Sequence, residues 1–253
     1  MCKYLRAITS MEELFFVCAA IIEEQEESRA GCFRYKRGFY MKFGIGAIDC
    51  AHIGIVSPPS TDPSTPLSLF MNRKGFYSLN VEAVCDHRLL FTAVNARYPG
   101  SCHDSGIWTT SPTRLHLIST YNIQSDSWLL GDQGYALEPW LLTPVAEPVN
   151  AREVRYNKLH AKARNTIERA FGVLKSRFRC LSKHPILHYS PEKAAMIIYA
   201  CTILHNILLK HGVVADLGFE EVLEESQDID EIVIENPNFR EGARVRERYI
   251  MSL

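Results

Sequence analysis

From Gly44 to Tyr98 the apolar positions either run unbroken or alternate with polar ones, the rhythm of strands in a partly buried sheet. "GIGAIDCAHIGIV" (44–56) reads as a buried strand. "YSLNVEAVCD" (77–86) and "LLFTAVNARY" (89–98) alternate and are rich in Val; "DHR" between them reads as a tight hairpin turn. "SPPSTDPSTP" (57–66) is a loop by composition. "PGSCHDSGIW" (99–108) is a turn feeding a helix that runs to residue 120, and "SWLLGDQGY" (127–135) is a fourth strand.

The period then changes. Ile167, Ala170, Phe171, Leu174, Phe178 and Leu181 fall at helical spacing. "SPEKAAMIIYACTILHNILLKHG" (190–212) is the clearest helix, with Ser190 as its cap, Pro191 in its first turn and Gly212 at its exit. It is apolar nearly all round, which predicts a buried helix. Upstream, residues 11–28 form an amphipathic pattern and 29–43 a basic, aromatic linker. After Gly212 the chain turns acidic and less periodic. Three strands, a helix, a fourth strand and more helices predict an α/β fold with a mixed sheet flanked by helices. The expected organisation is a helical or linker segment over 1–43, the main domain over 44–212 and an acidic extension over 213–253.

The net charge of −1 is uninformative, but its distribution is not. Ala151–Lys183 holds ten Lys/Arg against two acids, whereas Asp216–Glu241 holds ten acids against one Arg. Such asymmetry points to a polyanion-facing patch and an acidic tail, or to two ordinary solvated surfaces. The eight cysteines form no C-x-x-C pair, which argues against a zinc ribbon or redox motif and for an intracellular protein with reduced thiols. "LFFVCAAII" (14–22) is too short to span a bilayer, so no membrane is expected.

Four acids occupy unusual positions. Asp49 interrupts the first apolar strand, Asp104 stands where a turn becomes a helix, and Asp132 closes "WLLGD". Glu168 lies in the most basic segment. Each has a plain structural alternative: an edge residue for Asp49, an N-cap for Asp104, a turn residue for Asp132, and an i,i+4 partner of Arg164 for Glu168. Two acids on apolar strands need a counter-charge that the strands do not supply. Oxygen-only ligands suit Mg2+ or Mn2+, and two such ions can clamp the attacking and leaving oxygens of a phosphoryl displacement. Arg164, Glu168 and Lys175 share one helix side with Arg179, and Gly172 opens a gap there. Lys158, Lys162, Arg164, Lys175, Arg177 and Arg179 are the candidates for phosphate contacts. His52 points away from Asp49 on a strand, and His205 and Asn206 read as core polar groups. His103 belongs to an "HD" pair without the further ligands that an HD-type phosphohydrolase needs.

The segments "GAIDCAHIGIVSPP", "FYSLNVEAVCDHRLLFTAVNARYPGSCHDSGIW", "LLGDQGYALEPWLLTPV", "ARNTIERAFGVLKSRFRCL" and "ACTILHNILL" together resemble the PIF/Harbinger transposase-derived nuclease family, with its DDE-type transposase domain. The resemblance covers roughly residues 40–210. It implies an RNase H-like fold and a DNA endonuclease that hydrolyses or transfers phosphodiester bonds by a two-metal mechanism. Asp49, Asp132 and Glu168 would be catalytic, and Asp49, Asp104, Asp132 and Glu168 would hold Mg2+ or Mn2+. Whether Asp104 or Asp132 is the middle acid stays open at this level. In that family, DNA targeting can also depend on a separate Myb-like partner protein; a homo-oligomer and a nuclear location, with the cytoplasm besides, are further expectations. Only 43 residues precede the first strand here, fewer than the family usually carries, as in a truncated or domesticated copy. The alternative is therefore a catalytically silent DNA- or protein-binding module on the same fold.

Overall fold

The computed structural model describes residues 44–58, 66–121, 127–182, 186–213 and 236–253. The amphipathic segment and linker expected before residue 44 lie outside the described residues. Five strands form one sheet: β1 (Gly44–Gly54), β2 (Ser78–Cys85), β3 (Phe91–Pro99), β4 (Trp128–Leu130) and β5 (Leu141–Leu142). The order across the sheet is β3-β2-β1-β4-β5. β1 pairs antiparallel with β2, and β2 with β3; β1 pairs parallel with β4, and β4 with β5. The helices are α1 (Asp104–Thr110), α2 (Pro112–Thr120), α3 (Ala151–Arg177), α4 (Pro191–Lys210) and α5 (Phe239–Met251).

Strand alternation sends neighbouring residues to opposite faces. One face gathers Ala47, Ile53, Val81, Ala83 and Val94 against Ile167, Ala170 and Leu174 of α3 and Ile198 and Tyr199 of α4. The other gathers Ile48, Val84 and Ala93 with Trp108, Tyr135 and Trp140. A third cluster at the β5 edge joins Trp128, Leu142 and Tyr156 to Val245, Tyr249 and Ile250 of α5. Thus the expected acidic extension contains a helix that belongs to the folded core. By length and composition α4 could cross a membrane, but about half of it is buried in the protein, and its Asn206 side chain is tied to β3.

Three details differ from the sequence reading. The helix expected from 104 to 120 is two helices, because Pro112 holds Ser111 in extended geometry (ψ 132°) and Ser111 then caps α2 by accepting from Thr113 N–H at 3.1 Å. α3 ends at Arg177, so Arg179 and Leu181 lie in a 3-10 turn and not on the helix that carries Glu168. β5 was not expected: two residues carry no readable period, and pairing with β4 alone defines it.

Candidate active site

Arg164 of α3 reaches Asp49 on β1. The charges of Asp132 after β4 and Asp104 at the start of α1 act on Asp49, although Asp104 is held by Asn80, whose strand position faces the other side of the sheet. Asp49 lies on β1 on the face covered by α3. Its Oδ2 is 3.1 Å from Arg164 Nη1, and its Oδ1 accepts from Cys50 N–H at 2.8 Å. The other Arg164 fork nitrogen donates to Glu168 Oε1, so one guanidinium joins the strand acid to the helix acid. The i,i+4 pairing of Arg164 with Glu168 is therefore real, but it extends to Asp49, which sequence spacing could not reveal.

Asp104 is the first residue of α1; His103 is the N-cap and makes no side-chain cap bond. The Asp104 carboxylate instead accepts from Asn80 Nδ2 at 2.9 Å, and the same Nδ2 donates to Cys102 O at 2.9 Å. Asn80 is 1% exposed and so fixes the acid and its turn from beneath. Asp132 follows β4 and accepts from Gly134 N–H at 2.9 Å, an Asx turn. Neither Gly131 nor Gly134 has a positive φ. Their value is space: a Cβ on Gly131 would sit 3.1 Å from Leu141 and Tyr135, and one on Gly134 would sit 3.2 Å from Asp132 Oδ1.

These acids feel one another. Burial, and then the Asp132 charge, push the Asp49 carboxyl up to about 7; Arg164 opposes the rise and Asp104 adds to it. Burial also raises Asp104, against the Asn80 hydrogen bond and with the Asp132 charge. Yet among the described residues no three carboxylate, thiol or imidazole groups lie close enough together to hold a metal ion. The donor chemistry suits a hard divalent cation, while the guanidinium of Arg164 takes an oxygen each from Asp49 and Glu168.

Sequence reasoning missed Glu82, 1% exposed on β2, whose Oε2 accepts from Ser111 Oγ at 2.6 Å and whose Oε1 is buried without a hydrogen bond. Burial raises it to about 7, and Asp104 adds to the rise. Its signal was present as an acid inside "LNVEAV". His52 bonds Ser78 Oγ through Nδ1 at 3.1 Å, away from Asp49. Lys158, Lys162 and Arg179 are exposed, and Lys175 is half-buried. Arg177 donates to His205 O and Val213 O, at the far end of α4.

A mixed sheet of this order, with acids on its central strand and just beyond the adjacent parallel strand, is an RNase H-like α/β fold. Within that class the chain belongs to the DDE superfamily endonuclease family, whose model matches residues 48–206. The chain is 42% identical over 169 residues to "Putative nuclease HARBI1" of Rattus norvegicus, covering 66% of this chain and 46% of that protein. It is 34% identical over 222 residues to the Xenopus laevis protein of the same name, covering 86% and 61%. It is also 29% identical over 178 residues to "Protein ALP1-like" of Arabidopsis thaliana, covering 65% and 42%. The chain thus spans about half the length of the curated relatives it matches. No solved structure matches it.

Proposed function

We propose that the chain is a divalent-metal-dependent DNA endonuclease of the Harbinger transposase type. The observation that supports this most is the state of Asp49, which burial first, and then the charges of Asp132 and Asp104, lift to about 7 against the pull of Arg164. Acids from three separate elements that act on one another's charge, with Arg164 beside Asp49, would gain from a bound cation. Asp49, Asp104, Asp132 and Glu168 would hold Mg2+ or Mn2+, with Asp49, Asp132 and Glu168 as the catalytic set. The chemistry a bound ion would supply there is activation of a water or a DNA 3′-hydroxyl and stabilisation of the leaving oxygen. The chain's own contribution is positional. β1 and the end of β4 carry two acids on a rigid sheet, and Asn80 holds Asp104 at the helix start. Lys158, Lys162, Lys175 and Arg179 would grip the phosphate backbone without reading sequence. A DNA substrate, and a Myb-like partner that supplies targeting, would place the protein in the nucleus.

The test is nicking of supercoiled plasmid in Mn2+. The unmodified chain is expected to nick. Asp49→Asn and Asp132→Asn should each abolish nicking in a folded chain. Asp132→Asn removes a charge that repels Asp49 and should leave the melting temperature unchanged or higher, whereas Asp49→Asn gives up the bond to Arg164 and should lower it. Full cleavage by both variants rejects the assignment.

One observation favours a second reading, a silent DNA- or protein-binding module: Arg164 already engages an oxygen of both Asp49 and Glu168. A relative such as "Protein ALP1-like" carries no enzymatic term in its name. Calorimetric titration with Mn2+ separates the two readings, since a chain that binds no metal is the module.

A further inference from the structure

Arg164 is only 13% exposed at its side chain, and its fork is divided between Asp49 on the sheet and Glu168 one helical turn further on. A structural ion pair needs one partner; this arginine takes two acids from two elements. Both acids belong to the set proposed above to hold the metal. Among the described residues no metal-ligating trio is assembled, and two of the four candidate acids each have an oxygen turned to the guanidinium. A divalent ion that uses those oxygens has to break both charge-assisted bonds.

We propose that Arg164 is the built-in counter-cation of the site. It closes the acid cluster when no metal is present, yields Asp49 and Glu168 to the incoming ion, and is then free to meet a phosphate. The proposal rests on the metal-site reading above and adds a competition that reading does not contain. Arg164 therefore lowers metal affinity and stabilises the metal-free fold. A guanidinium that merely organised the ligands would do the reverse to affinity.

The experiment is calorimetric titration of the full chain with Mn2+, alongside metal-free melting. Arg164→Gln should bind Mn2+ at least about tenfold tighter, the factor to which even one of the two charge-assisted bonds corresponds, and its metal-free melting temperature should fall. Arg169→Gln makes the same charge change on an exposed residue of the same helix, and its affinity should stay near that of the unmodified chain. Arg164→Lys keeps the charge without the fork and should fall between the two; it carries the test if the Gln variant does not fold. Equal or weaker Mn2+ binding by the folded Arg164 variants overturns the proposal. An equal gain by Arg169→Gln also overturns it, because the effect would then be long-range charge alone. If Asp49→Asn binds Mn2+ as the unmodified chain does, the metal-site reading itself fails, an outcome distinct from both.

Discussion

At the residue scale, burial decides the electrostatics of this molecule. Asp49 and Glu82 titrate near 7, whereas burial first of all lowers His160 and His205 to about 4. The signs oppose each other. Between about pH 4 and 7 the folded state holds protons on Asp49 and Glu82 that the unfolded chain has released, so their contribution to stability falls as pH rises through that window. Over roughly pH 4 to 6.5 the unfolded chain protonates its histidines while the folded one keeps His160 and His205 neutral, so their contribution is lost as pH falls. Glu82→Gln isolates the first effect. It should leave stability near pH 4 unchanged and raise it at pH 8 by on the order of 2 kcal/mol, read by urea unfolding at the two pH values. No gain at pH 8 would mean that Glu82 is charged and compensated in the folded state.

At the element scale, single polar side chains tie helices to the sheet. Asn206 on α4 accepts from Phe91 N–H at 2.9 Å and donates to Phe91 O at 2.8 Å, completing the backbone bonding at the start of β3. Asn206→Ala leaves a buried N–H and C=O unmatched, and a loss of about 2–4 kcal/mol in chemical denaturation is expected. α5 docks through a different device. A Cβ at Gly242 would lie 2.9 Å from the Glu138 backbone carbon, so the helix approaches only because that side chain is missing. Glu138 below it accepts from Trp108 and Trp140 Nε1 and pairs with Arg114 at 2.7 Å. Gly242→Ala should therefore destabilise by about 1–3 kcal/mol, with α5 loosening first in hydrogen exchange.

At the scale of the whole molecule, α5 finishes the core at the β5 side of the sheet. Tyr249 packs on Trp128 at 5.4 Å between ring centroids and on Tyr156 at 5.9 Å. Arg246 donates to Pro144 O at 2.9 Å. Ending the chain before Asn236 would expose Trp128, Leu142 and Tyr156. The expected result is a lower melting temperature and a red shift of tryptophan emission. Unchanged emission would show that α5 is dispensable to the fold. Asp132 stands two residues beyond β4, so under the metal-site proposal the same truncation should also weaken Mn2+ binding without touching any of the four acids proposed to hold it.

Local pattern alone specified β1, β2, β3 and α4, because each has a period long enough to read and strong signals at its ends. It also singled out Asp49, Asp104, Asp132 and Glu168, since acids inside apolar runs or amid bases stand out against their neighbours. It could not resolve β5, two residues long, nor the place of α5 in the core, because these depend on partners far away in the chain; the break at Ser111, by contrast, is encoded locally by Pro112. Gly131 and Gly134 show the same limit: sequence marks a turn, and only packing shows that the missing side chains make room for Leu141, Tyr135 and Asp132. The most consequential decision belongs to tertiary structure. Sequence spacing links Arg164 to Glu168 four residues on, but Asp49 lies 115 residues away. Only the folding of α3 over β1 puts one guanidinium against both acids, because charge interactions depend on distance in space and not along the chain.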